Sequence, residues 1–82
     1  MSTVLTFQQA LGEVVRMRRH AVDLTQEQLA ALAGMHVNYV SQIERGGYRV
    51  TVEKLRDLAV GLDTTAAKLI DDAELHLAQQ TT

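Results

Sequence analysis

Residues 25–46 read Thr-Gln-Glu-Gln-Leu-Ala-Ala-Leu-Ala-Gly-Met-His-Val-Asn-Tyr-Val-Ser-Gln-Ile-Glu-Arg-Gly. This stretch constrains the fold more than any other. Thr25 followed by Gln28 is a capping box, in which each side chain bonds the other's backbone N–H and starts a helix. Leu29, Leu32 and Ala33 then supply an inward face. Ala30 and Ala33 are small enough to admit a neighbouring helix closely. Gly34 falls where a left-handed residue ends a helix. A second short helix follows over about Val37–Glu44, with Val40 and Ile43 inward and Met35 filling the turn. Val37, Asn38, Ser41 and Gln42 are left facing outward, and Gly46-Gly47 stops the helix. Two short helices joined by a glycine turn make a helix-turn-helix, a motif whose second helix can enter the DNA major groove.

The rest of the chain is consistent with an all-α fold. Proline is absent from the 82 residues, and apolar residues recur at helical spacing throughout. A first helix is expected from about Phe7 to His20, opened by a Thr6/Gln9 capping box and ended by Asp23. Its apolar stripe is Phe7, Leu11, Val14 and Val15, closed by Ala21 or Val22. A fourth helix begins after Thr51 and ends at Gly61, with Val52, Leu55, Leu58 and Ala59 inward. A fifth begins after Thr64 or Thr65 and carries Ala66, Leu69, Ile70, Ala73 and Leu77. One domain over residues 1–82 is expected, with its core in 7–70 and a helical extension and tail in 71–82. Residues 79–82 read as frayed.

Several classes of function are disfavoured. Without cysteine there is neither a disulfide nor a thiolate. His20, His36 and His76 lack ligand spacing, so neither a metal nor another cofactor is expected. No run of apolar residues is long enough to span a membrane, and the N-terminus lacks a secretory pattern, so a cytoplasmic protein is expected. Nucleophile triads, paired-acid signatures and glycine-rich phosphate loops are missing, which argues against an enzyme.

Net charge is −2, which opposes nucleic-acid binding at first sight. The distribution softens that objection. Residues 1–50 carry Arg16, Arg18, Arg19, Arg45 and Arg49 against four acids, a net of +1. Residues 51–82 carry three cations against six acids, a net of −3. Any DNA face therefore belongs to the first two thirds, and non-specific binding should be weak.

Three segments resemble the Cro/C1-type helix-turn-helix family, also called the Xre family. They are Leu-Gly-x-x-Val-Arg-x-x-Arg (11–19), Leu-Thr-Gln-Glu-x-Leu-Ala-x-x-Ala-Gly (24–34) and Tyr-Val-Ser-x-Ile-Glu-Arg-Gly (39–46). A looser match, Val-Glu-x-Leu-x-x-Leu-Ala-x-x-Leu, covers 52–62, and together the matches span residues 11–70. The resemblance departs at Asp23, where many members have Gly. It departs at His36, where many have Ser or Thr, and at Val50-Thr51, where many have Asn-Pro.

The resemblance implies a five-helix, lambda repressor-like domain that binds palindromic double-stranded DNA as a homodimer. It places base reading at Val37, Asn38, Ser41 and Gln42. The chemistry suits that role: a carboxamide can pair with N6 and N7 of adenine, and Val37 can meet a thymine methyl. Gln26, in the first turn of its helix, and His36 are expected at phosphates. Tyr39 either stacks on the sugar-phosphate wall or packs against the preceding helix. Arg45, Tyr48 and Arg49 fit backbone clamping. Members also pair a first-helix arginine with the glutamate ending the third helix, which here means Glu44 with Arg19, or with Arg18 in another register. Leu62, Leu69, Ile70, Ala73 and Leu77 are expected to build a two-fold interface.

The expected function is a sequence-specific transcriptional regulator, in the simplest case a repressor or autoregulator that blocks RNA polymerase. The alternative is a restriction-modification controller, suggested by Arg-Val-Thr-Val-Glu-Lys-Leu (49–55). More distant readings are an antitoxin or a small helical protein-interaction module.

Overall fold

The computed structural model describes residues 5–80; Thr81 and Thr82, which were read as part of a frayed end, lie outside the described residues. Among those residues there are five helices and no strand: α1 (Phe7–Ala21), α2 (Gln26–Ala33), α3 (Val37–Glu44), α4 (Val52–Gly61) and α5 (Ala66–Gln80). Among the described residues no helix is long and apolar enough to cross a membrane.

Both capping boxes form. Thr6 Oγ1 accepts from Gln9 N at 3.1 Å while Gln9 Oε1 accepts from Thr6 N at 2.9 Å. Thr25 and Gln28 repeat the exchange at 3.0 and 2.9 Å. Thr51 and Thr65 cap α4 and α5 through Lys54 N and Lys68 N. Such a cap is typically worth about 1 kcal/mol.

The first four helices end alike. In each, a residue in left-handed conformation is followed by an N–H that reaches back five residues to a helical carbonyl, the Schellman arrangement. The bonds are Leu24 N to Arg19 O, Met35 N to Ala30 O, Gly47 N to Gln42 O and Thr64 N to Ala59 O, all 2.9–3.0 Å. Glycine supplies the left-handed residue twice, at Gly34 and Gly46, and aspartate twice, at Asp23 (φ 61°) and Asp63 (φ 56°). Asp tolerates this conformation better than most side-chain-bearing residues.

Helix α1 packs on α5 and α3, α2 packs on α3 and α4, and α4 on α5. The core joins Leu11, Val14 and Val15 of α1 to Leu29, Val40, Ile43, Leu58, Leu62 and Leu69. At eight residues each, α2 and α3 are too short to persist alone, so this packing sustains them. Val22, rather than Ala21, packs against the core at the end of α1.

Three residues expected inward are on the surface, Phe7 (39% exposed), Leu32 (59%) and Val52 (70%), and Ile70, expected at the two-fold interface, is exposed too (36%). Phe7 and Val52 are each the first residue of a helix. Leu32 lies off the buried stripe of Leu29, Ala30 and Ala33. Ile70 sits at the edge of the Leu69–Ala73 face.

The two-fold interface needs a larger correction. Leu62, Leu69 and Ala73 are at most 1% exposed within a single chain, so they build its own core and offer no surface to a second copy. Ile70 and Leu77 remain, and Leu77 borders a shallow groove with Phe7, Glu74 and Ala78. The core also continues past residue 70, through Ala73 and Leu77.

Candidate nucleic-acid interface

Helix α3 buries Val40, Ile43 and Glu44 and turns its opposite face outward. Asn38 and Gln42, one helical turn apart, are exposed on that face; Val37 and Ser41 are half-buried beside them. Of the four residues expected to face outward, Asn38 and Gln42 are exposed, whereas Val37 packs against the core. Backbone alone shapes the turn before α3: Gly34, at φ 66°, has no atom within 4 Å of where a Cβ would sit. His36 caps α3, its Nδ1 accepting from Asn38 N at 3.1 Å. The imidazole therefore does the work of the Ser or Thr it replaces.

The inner side of α3 is tied down by a polar network. Arg19 Nε and Nη2 donate to Glu44 Oε2 and Oε1 at 2.6 and 2.9 Å. Arg19 Nη1 donates to the Leu24 carbonyl at 2.8 Å, and Gln26 Nε2 donates to Glu44 Oε1 at 3.0 Å. Arg19 and Glu44 are each 7% exposed. The hydrogen bond to Glu44 raises the Arg19 pKa, and burial opposes it only in part. Among the described residues no buried side-chain nitrogen or oxygen is left without a partner. Helices α1, α2 and α3 thus meet at one carboxylate.

This network settles the register of α1. Arg19 faces Glu44, whereas Arg18 turns to the end of α4, donating to the Leu62 and Asp63 carbonyls at 3.1 and 2.9 Å. It also gives Gln26 a role not expected. Its amide points inward to Glu44, leaving the backbone N–H groups of Gln26 and Glu27 at the mouth of α2.

Gly12 completes the support. A Cβ there would stand 2.2 Å from the Ile43 carbonyl oxygen and 2.8 Å from that of Glu44. Only glycine lets α1 cross α3 this closely. The residue was visible in the Leu-Gly-x-x-Val-Arg segment, but nothing local indicated what it touches.

The outer rim comes from the α3–α4 connection. Tyr39 and Tyr48 lie with ring centroids 5.0 Å apart and planes tilted by 31°. The Tyr39 ring is half-buried and packs against the core. Arg45, Tyr48 and Arg49 are exposed along the same connection. Lys54 of α4 places Nζ 5.9 Å from the Tyr39 ring centroid.

Comparison with known proteins agrees with this geometry. The model of a helix-turn-helix domain family matches residues 10–70. The control protein C.SmaI of Serratia marcescens is 38% identical over 66 residues, covering 80% of this chain and 79% of that protein. The restriction-modification controller protein C.AhdI of Aeromonas hydrophila has a similar structure, with a TM-score of 0.74 and 35% identity over 76% of this chain and 94% of that one. The clp gene regulator ClgR of Corynebacterium glutamicum superposes with a TM-score of 0.90 at 26% identity, over 96% of this chain and 84% of that one. With a buried Arg–Glu pair behind α3, a carboxamide-bearing face in front and this family match, the chain belongs to the Cro/C1-type helix-turn-helix family of DNA-binding regulators.

Proposed function

We propose that the protein is a homodimeric repressor or autoregulator that reads a palindromic operator with two copies of α3. The observation that carries this reading is the pairing of exposed Asn38 and Gln42 on a helix whose opposite face is locked by Arg19, Gln26 and Glu44. Val37, Asn38, Ser41 and Gln42 contact base edges in the major groove. The N-terminus of α2 at Gln26, together with His36, Tyr39, Arg45, Tyr48 and Arg49, contacts the phosphates. Binding over a promoter excludes RNA polymerase. Two-fold pairing uses the surface that includes Ile70 and Leu77, and sets the recognition helices about 34 Å apart, one turn of DNA.

A second reading, a restriction-modification controller, is supported by the similarity to C.SmaI and C.AhdI. It shares the same DNA face and differs in its genetic target. The test of the common reading is selection from a random double-stranded DNA library at moderate salt. Enrichment of a palindrome with half-sites one turn apart is expected. A folded protein that enriches nothing overturns the reading in favour of a protein-interaction module. Sedimentation at micromolar concentration tests the dimer, and a monomer there removes it.

A further inference from the structure

We propose that Lys54 is a phosphate-binding residue of the DNA interface, steadied by the Tyr39 and Tyr48 rings. This rests on the DNA-binding reading above and extends it to α4. Three observations carry it. Lys54 occupies the first turn of α4, its N–H bonded to the Thr51 cap at 3.2 Å. A cation there gains nothing from the helix dipole, whose positive end is already met by Glu53 in the same turn.

Secondly, the ammonium has no carboxylate within salt-bridge distance among the described residues. The neighbour it does have is an aromatic face, with Nζ 5.9 Å from the Tyr39 centroid. Thirdly, Tyr39 is one residue from Asn38 on the recognition helix, and Tyr48 holds its ring from the loop side at 5.0 Å. The cation, two phenol rings and the edge of α3 thus share one rim. An anion meeting that rim finds a charge already positioned. The opposing possibility is that Lys54 only packs on Tyr39.

The two differ in salt dependence. The full chain is measured on a random-sequence duplex and on its selected operator across a salt series, as wild type, K54M and K54R. K54M keeps the apolar stem over the ring and removes the charge; K54R keeps the charge. Losing one phosphate contact lowers the slope of log K against log salt by about 0.9, equally on both duplexes. K54R should retain the wild-type slope. Melting curves establish that the variants are folded, and Lys54→Gln replaces K54M if that variant is not. An unchanged slope in the charge-free variant overturns the proposal, even if affinity falls, and leaves DNA binding itself intact. A wild-type protein that binds neither duplex overturns both.

Discussion

Arg19 and Glu44 lie 25 residues apart in sequence and form a two-pronged ion pair that is nearly closed to solvent. Gln26 and the Leu24 carbonyl satisfy further bonding positions on the same two groups. The pair ties the first helix to the end of the recognition helix, so stability and DNA geometry depend on the same contact.

Replacing Glu44 by Ala should therefore destabilise the domain by about 3–5 kcal/mol, because it strands a buried guanidinium. Small domains hold about 5–15 kcal/mol in all, so this loss is a large share of the total. Thermal or urea unfolding checks this. Arg19→Lys should be intermediate, since an ammonium cannot reproduce the two-pronged geometry. A raised Arg19 pKa means its contribution is complete below the ordinary arginine range and fades only in strong alkali. Unfolding midpoints between pH 6 and 9 should show no loss traceable to this arginine, in line with its pKa lying far above that window.

Gly12→Ala should cost about 3 kcal/mol or more, since its methyl meets backbone oxygens of α3 that cannot swing aside. If the domain still folds, α3 must move. Operator binding should then fall by more than the loss of folded protein explains. Measuring both on one preparation separates the two effects.

The left-handed helix ends give a controlled comparison. Gly34→Ala meets no atom, so its cost is backbone strain alone, about 1 kcal/mol. Asp63→Gly relieves the same strain and should leave stability equal or slightly higher, by about 0.5 kcal/mol, after the flexibility of glycine in the unfolded chain is counted. The denaturant midpoint should fall for Gly34→Ala and hold or rise slightly for Asp63→Gly.

Gln42→Ala should relax preference at one operator position, by roughly 1–3 kcal/mol. Arg49→Ala should weaken every sequence alike and flatten the salt dependence. Competition binding on operator and random duplexes tells these apart. Equal losses on both for Gln42→Ala would remove it from base reading.

Much of the fold was legible because its signals are local. A capping box needs only residues three apart, and Thr6/Gln9 and Thr25/Gln28 both form. Gly34 and Asp23 end helices through their own backbone freedom. The helical phase of α3 separates Val40 and Ile43 from Asn38 and Gln42 without reference to any other element. Phase was less reliable at helix ends and edges. There Phe7, Leu32, Val52 and Ile70 fit an apolar pattern, but their neighbours cover them only in part.

What the sequence determined by itself was the set of helices, their boundaries and the outward residues of the recognition helix. These follow from caps, turns and periodicity, each settled within a few residues. Only the tertiary structure decided which arginine meets Glu44, that Gln26 turns inward, that Leu62, Leu69 and Ala73 belong to the chain's own core, and that Lys54 sits beside Tyr39. Each of those depends on how two helices cross. The crossing is set by side-chain volume at the contact, such as the missing Cβ of Gly12, and not by the residues adjacent in the chain.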